Sequence, residues 1–143
     1  MQRDNYKVVE GKLYSYKNNI LKVQNLALEI EKTKNECYSI GAVGNEERIS
    51  GTNVITSSVE NEIIRKDEKI AVLERQKKQL EYEIQHVENV LEFLNEDESK
   101  IIEARYFKGK TYLQMTTMFP YSIQGIANIV RKVVKKIAGA LIF

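Results

Sequence analysis

The stretch TYLQMTTMFPYSIQGIANIVRK, residues 111–132, holds a short periodic segment, a proline, and the start of a longer periodic segment. Thr111 is placed to cap a first helix, TYLQMTTMF. Pro120 closes it, because the residue before a proline avoids helical geometry. Ser122 can cap a second helix, expected from Ile123 to Ala140. Leu113 or Met115, Phe119, Tyr121, Ile126, Ile129, Val133 and Ile137 are the expected core. Short helix, turn and long helix have the rhythm of a helix-turn-helix.

Upstream, NEDESKIIEARYF reads as one more short helix. Asn95 is a good N-cap, and Glu96, Asp97 and Glu98 suit the positive end of a helix dipole. Ile101, Ile102, Arg105 and Tyr106 divide between its inward and outward faces, and Gly109 suits the position just past its end.

Two longer helices precede these. Residues 5–34 carry apolar rows of sevens at Tyr6, Leu13, Ile20 and Ala27, and at Val9, Tyr16, Val23 and Ile30. Residues 58–94 repeat the pattern at Ile63, Ile70, Lys77, Ile84 and Leu91, and at Leu73, Leu80, Val87 and Leu94. Rows this narrow require a partner helix. An antiparallel hairpin within the chain and a homodimer or other homo-oligomer both satisfy them. Lys77 either sets the register or lays its stem on the seam with its charge in water. Between the two helices, Gly41, Gly44 and Gly51 sit among polar residues, so a flexible loop is expected over 35–55. Thr56, Ser57 and Ser58 are candidate caps for the second long helix, with Glu60 and Glu62 in its first turn.

The expected fold is therefore all-α. A long helical hairpin or coiled coil, residues 1–94, precedes a three-helix helix-turn-helix domain, residues 95–143.

Composition narrows the function. The 143 residues hold no apolar run long enough to span a bilayer and no apolar leader, so a cytoplasmic protein without a membrane partner is expected. One cysteine, Cys37, and one histidine, His86, permit neither an internal disulfide nor a structural zinc site. With no nucleotide-binding glycine loop, metal cluster or catalytic triad, neither an enzyme nor a cofactor is expected. The net charge of +2 is polarised: no acid follows Glu103, and Arg105, Lys108, Lys110, Arg131, Lys132, Lys135 and Lys136 give that part +7, leaving −5 for the rest. A basic C-terminal part points to a polyanion. The eight tyrosines are scattered and several fall on apolar rows, so packing explains them better than stacking on single-stranded bases. The terminal IAGALIF is either a helix end on the core or an apolar patch for a partner.

The segment from Ile101 to Ala138 resembles the fourth region of bacterial sigma factors. The resemblance rests on Arg105-Tyr106-Phe107, Thr111, Met115, Phe119, Ser122, Ile126 and Ile129, and on the basic tail Lys132-Val133-Val134-Lys135-Lys136-Ile137. The whole layout, with YKNN in the first helix, a Gly-rich middle and ISGTNVITSSVE before the long helix, resembles the RinA/ArpU-type regulators of phage late genes. The resemblance implies an activator that binds double-stranded DNA in a bacterial host and acts with RNA polymerase.

On that basis Ile123, Gln124, Ala127 and Asn128 are the expected base-facing residues. The two amides suit adenine, and the apolar pair suits thymine methyls. Lys108, Lys110, Ser122, Arg131, Lys132, Lys135 and Lys136 are the expected phosphate contacts. Gly125 costs helix stability but allows close backbone approach. A small terminase subunit and a helical interaction module that does not bind DNA are the alternatives.

Overall fold

The structure, a computed structural model, describes the backbone of residues 2–47 and 53–140, and the side chains of residues 5–36 and 58–140. Every regular element within them is helical: α1 (Gln2–Glu47), α2 (Asn53–Phe93), α3 (Glu96–Ile102) running into a π-helical turn (Glu103–Phe107), α4 (Tyr112–Met115) and α5 (Ile123–Ala140). The fold is all-α, with a long N-terminal helix pair. Among the described residues, no helix is long and apolar enough to cross a membrane.

The expected 35–55 loop is largely helical. α1 continues through Gly41 and Gly44 to Glu47, and α2 starts at Asn53. A glycine inside a helix costs only about 1 kcal/mol against alanine, too little to stop a helix that is already propagating. Ser58 therefore lies inside α2 and does not cap it. The side chains of Cys37, Thr56 and Ser57, and residues Leu141, Ile142 and Phe143 of the terminal apolar run, lie outside the described residues.

The chain forms two compact units. One combines Met1–Ile20 with Tyr82–Phe143, and the other is Leu21–Glu81. The division thus falls elsewhere than at residue 94, because the start of α1 and the end of α2 contribute to one core with α3, α4 and α5. That core contains Val9 and Leu13 of α1, Val87, Val90 and Leu94 of α2, Ile101 and Ile102 of α3, Ala104 and Tyr106 of the π turn, Met115 of α4, and Ile126, Val130, Val133, Val134 and Ile137 of α5. Of the expected pair Leu113 or Met115, Met115 is the buried one; Tyr121, expected inside, is exposed, while Val130 and Val134 join the core without being expected there. The reason is the length of α4. Thr116 and Thr117 turn their hydroxyls onto the carbonyls of Leu113 and Gln114, which competes with helix continuation and ends α4 after one turn.

Within this unit polar contacts fix the helix register. The Tyr16 hydroxyl donates to Glu88 Oε1 (2.9 Å), Asn19 Nδ2 donates to Glu83 Oε2 (3.3 Å), and the Tyr106 hydroxyl donates to Glu10 Oε2 (2.8 Å). Tyr14 packs edge-on against Tyr106 with centroids 4.7 Å apart. Burial, then the hydrogen bond to Glu10, pushes the Tyr106 phenol far above its ordinary value. Burial, then Glu88, pushes Tyr16 up to about 12. Both shifts favour the neutral phenol in the fold, so their contribution is intact below pH ~10 and is lost as pH rises further. Above pH ~10 the unfolded chain ionises first, and Tyr106 alone lowers stability by about 1.4 kcal/mol per pH unit. Urea midpoints measured from pH 8 to 11.5 should fall steeply above 10, and Tyr106→Phe should flatten the fall. A slope unchanged by that substitution would contradict the assignment.

In the unit Leu21–Glu81 the two helices run antiparallel. Glu29 lies 3.3 Å from Lys69 Nζ and Glu36 lies 3.6 Å from Lys66 Nζ, so rising numbers on one helix meet falling numbers on the other, and Lys34 Nζ reaches diagonally to Glu74 at 3.7 Å. These exposed pairs orient the helices more than they stabilise them. The expected rows line the seam: Ile30 is buried, and Val23, Ala27, Ile63, Ile70, Leu73 and Leu80 are half-buried. Lys77 is half-buried and pairs with Glu81 (3.6 Å), the arrangement of a stem laid on the seam.

Candidate nucleic-acid interface

The basic C-terminal part is positioned by several local devices. Asn95 and Glu98 form a reciprocal capping box at α3, with Glu98 N–H donating to Asn95 Oδ1 (2.8 Å) and Asn95 N–H donating to Glu98 Oε1 (3.2 Å). The π turn ends with Lys108 N–H on the Glu103 carbonyl (2.9 Å), and Gly109 then takes φ +67, where a side chain would be strained. Thr111 and Gln114 form a second capping box at α4. Arg105 braces this connection. Its Nη1 donates to the Lys110 carbonyl (3.1 Å), and its guanidinium lies 4.1 Å over the Tyr112 ring. Arg105 is therefore engaged in structure.

The last device is the start of α5. Ser122 Oγ accepts from Gly125 N–H (3.1 Å), as an N-cap does. A Cβ at Gly125 would sit 3.2 Å from that oxygen and 3.6 Å from Tyr121 Cβ. The glycine thus leaves room for the cap itself, a local role beyond the backbone approach expected of it. Ser122→Ala should cost about 1 kcal/mol in urea denaturation. A loss below about 0.3 kcal/mol, under the usual range for such caps, would show that this one contributes little.

α5 is sharply two-faced. Ile126, Ala127, Val130, Val133, Val134 and Ile137 are buried. Gln124, Asn128, Arg131 and Lys135 are exposed at spacings i, i+4, i+7 and i+11, which place them in one row along the helix. Lys132 is exposed beside that row.

The expected site residues divide accordingly. Gln124 and Asn128 share the outward row. Ala127, expected to face bases, is 9% exposed and belongs to the buried face, because it follows Ile123 by one turn and precedes Val130 and Val134 on the inward side. Ile123 is in the same inward register, yet it is 48% exposed. Arg131, assigned from sequence to phosphate, lies in the row of the amides; its i+7 spacing from Gln124 was the available signal. Lys136 is drawn back to α3, with its Nζ 3.3 Å from Glu98 Oε1 and 5.3 Å from the Phe93 ring centroid. Lys108 is exposed and Lys110 half-buried, both on the connection before α4. Ser122 is occupied as the cap. Among the described residues, no group of three or more His, Cys, Asp or Glu is arranged to hold a metal ion.

Residues 15–139 match a family described as "Protein of unknown function (DUF722)". The chain belongs to the DUF722 family. The DUF722 match runs through the helix pair and the C-terminal helices alike, including the whole exposed row of α5. No curated protein and no solved structure matches the chain.

Proposed function

We propose that this DUF722 chain is a DNA-binding transcriptional regulator, an activator of phage or prophage late genes acting in the bacterial cytoplasm. The observation that carries the reading is the outward row of α5: two amides followed by two cations, with Lys132 alongside, on a helix seated by its apolar face. A major groove admits one α-helix, and amides pair with adenine edges there while cations meet phosphates. α4, the turn and α5 act in this reading as a helix-turn-helix, with α5 as the reading helix. RNA polymerase is the proposed protein partner, on the strength of the sigma-like sequence pattern.

Self-association is part of the proposal. In the unit Leu21–Glu81, Leu26 and Leu80 line an open groove of about 820 Å³, and Leu21 and Leu28 are exposed one heptad apart. A second copy laid along this hairpin would join two reading helices in one molecule and strengthen binding through effective concentration.

Random-pool DNA selection with the purified chain, followed by a salt titration on the selected duplex, tests the reading. Specific binding that weakens linearly in log–log salt is the expected outcome. Native mass separates the rival: a dimer fits the regulator, and a many-subunit ring fits a small terminase. No retained DNA at low salt would leave a helical interaction module.

A further inference from the structure

We propose that the capping turn of α5 reads thymine methyl groups through Tyr121 and Ile123, which confines the target to sites with thymine at defined positions. This rests on the DNA-binding reading above and adds to it the chemistry of base selection.

The two side chains flank the Ser122 cap and immediately precede Gln124. Ile123 occupies the inward register of α5, three residues before Ile126 and seven before Val130, yet it is 48% exposed. Tyr121 is 43% exposed. An isoleucine left open at a helix start loses the burial that its register would otherwise provide. A partner that brings an apolar group to that point restores it.

Three features select a duplex as that partner. The chain beyond Glu103 is free of acids, so the segment that carries the turn is purely basic in its charges, which suits phosphates. Gln124 and Asn128, one and five residues beyond Ile123, present amides suited to adenine N6 and N7. An adenine paired with thymine carries, in the same groove, the one apolar group a base pair offers there, the C5 methyl. Amide and apolar side chain can thus read the two halves of one A·T pair. The burial of Ala127 removes the other small apolar candidate, so methyl reading falls to the turn.

The turn is also held in place. The Ser122 cap fixes the first turn of α5, and Gly125 leaves space beside both the cap oxygen and Tyr121 Cβ. A side chain fixed before contact loses less freedom on binding.

The test replaces thymidines of the selected duplex one at a time with deoxyuridine. This deletes a methyl and leaves the pairing edges and phosphates unchanged. Fluorescence anisotropy with the full chain should show one or two positions at which the replacement weakens binding about fourfold, the worth of one buried methyl. Ile123→Ala or Tyr121→Ala should bind the thymine duplex as weakly as the parent binds the uracil duplex, with no further loss on uracil. Both positions are exposed, so circular dichroism and the melting temperature should match the parent. Equal affinity for thymine and uracil duplexes overturns this inference while leaving DNA binding intact. A uracil penalty that persists at the same position in both variants overturns the assignment to Tyr121 and Ile123. No binding to any duplex at low salt overturns this inference and the DNA-binding reading together.

Discussion

Reversing three charges on α5, Arg131→Glu, Lys132→Glu and Lys135→Glu together, is expected to weaken DNA binding at least about a hundredfold at ~0.1 M salt. All three side chains are exposed on the outward side of α5, away from its buried face. The fold should therefore persist, with circular dichroism and melting temperature close to the parent. Each phosphate contact contributes about 0.9 to the slope of log affinity against log salt, so the slope should fall by roughly 3. Lys136 is left out deliberately. Its ion pair with Glu98, which is also half of the α3 capping box, ties α5 to α3, and reversing it would mix a packing defect into the readout. Gln124→Ala and Asn128→Ala should behave differently, retaining the salt slope and losing discrimination of about 1 to 3 kcal/mol per lost amide contact. Unchanged affinity and slope in the triple variant would sink the DNA-binding reading in favour of a helical interaction module.

The second large effect concerns the chain ends. A fragment of residues 95–143 should not fold cooperatively, whereas residues 1–20 joined by a short linker to residues 82–143 should. Val9, Leu13, Val87, Val90 and Leu94 all belong to the core that α3, α4 and α5 share. At roughly 1.5 to 3 kcal/mol per fully buried apolar side chain, their loss removes on the order of 10 kcal/mol as an upper estimate. A small domain holds only about 5 to 15 kcal/mol in total. The linker can be short because Asn19 and Glu83 already meet at 3.3 Å. Far-UV circular dichroism and urea melts of the two fragments decide the matter. A cooperative transition of 95–143 near that of the full chain would show that the ends of α1 and α2 are dispensable.

The helical class and several boundaries were legible because their causes are local. Asn95, Thr111 and Ser122 cap the helices expected of them, since each cap involves groups three residues apart. α5 has the expected bounds, Ile123–Ala140, because Pro120 and the Ser122 cap punctuate its start. The heptad rows line the seam for the same reason, a repeat that any partner helix must meet. The candidate site was legible in part: Gln124 and Asn128 face outward, but Ala127 does not. An alanine carries no pattern strong enough to say whether a neighbour covers it. Tyr121 misled in the other direction, because an aromatic residue before a cap reads as core until the shortness of α4 is known.

The sequence by itself determined the all-helical class, the caps at Asn95, Thr111 and Ser122, the heptad rows along the seam and the concentration of positive charge after Glu103. Each depends on residues within a few turns of one another, or on composition alone. Only the tertiary structure decided that Tyr106 meets Glu10, 96 positions away, that the ends of α1 and α2 complete the C-terminal core, and that Lys136 is paired with α3 while Arg131 stands exposed in the amide row. Burial and pairing are set by which distant segments pack together. In the stretch of residues 111–132, Ile123 and Ala127 share one side of the helix, and only the packing of the rest of the chain covers Ala127 and leaves Ile123 open.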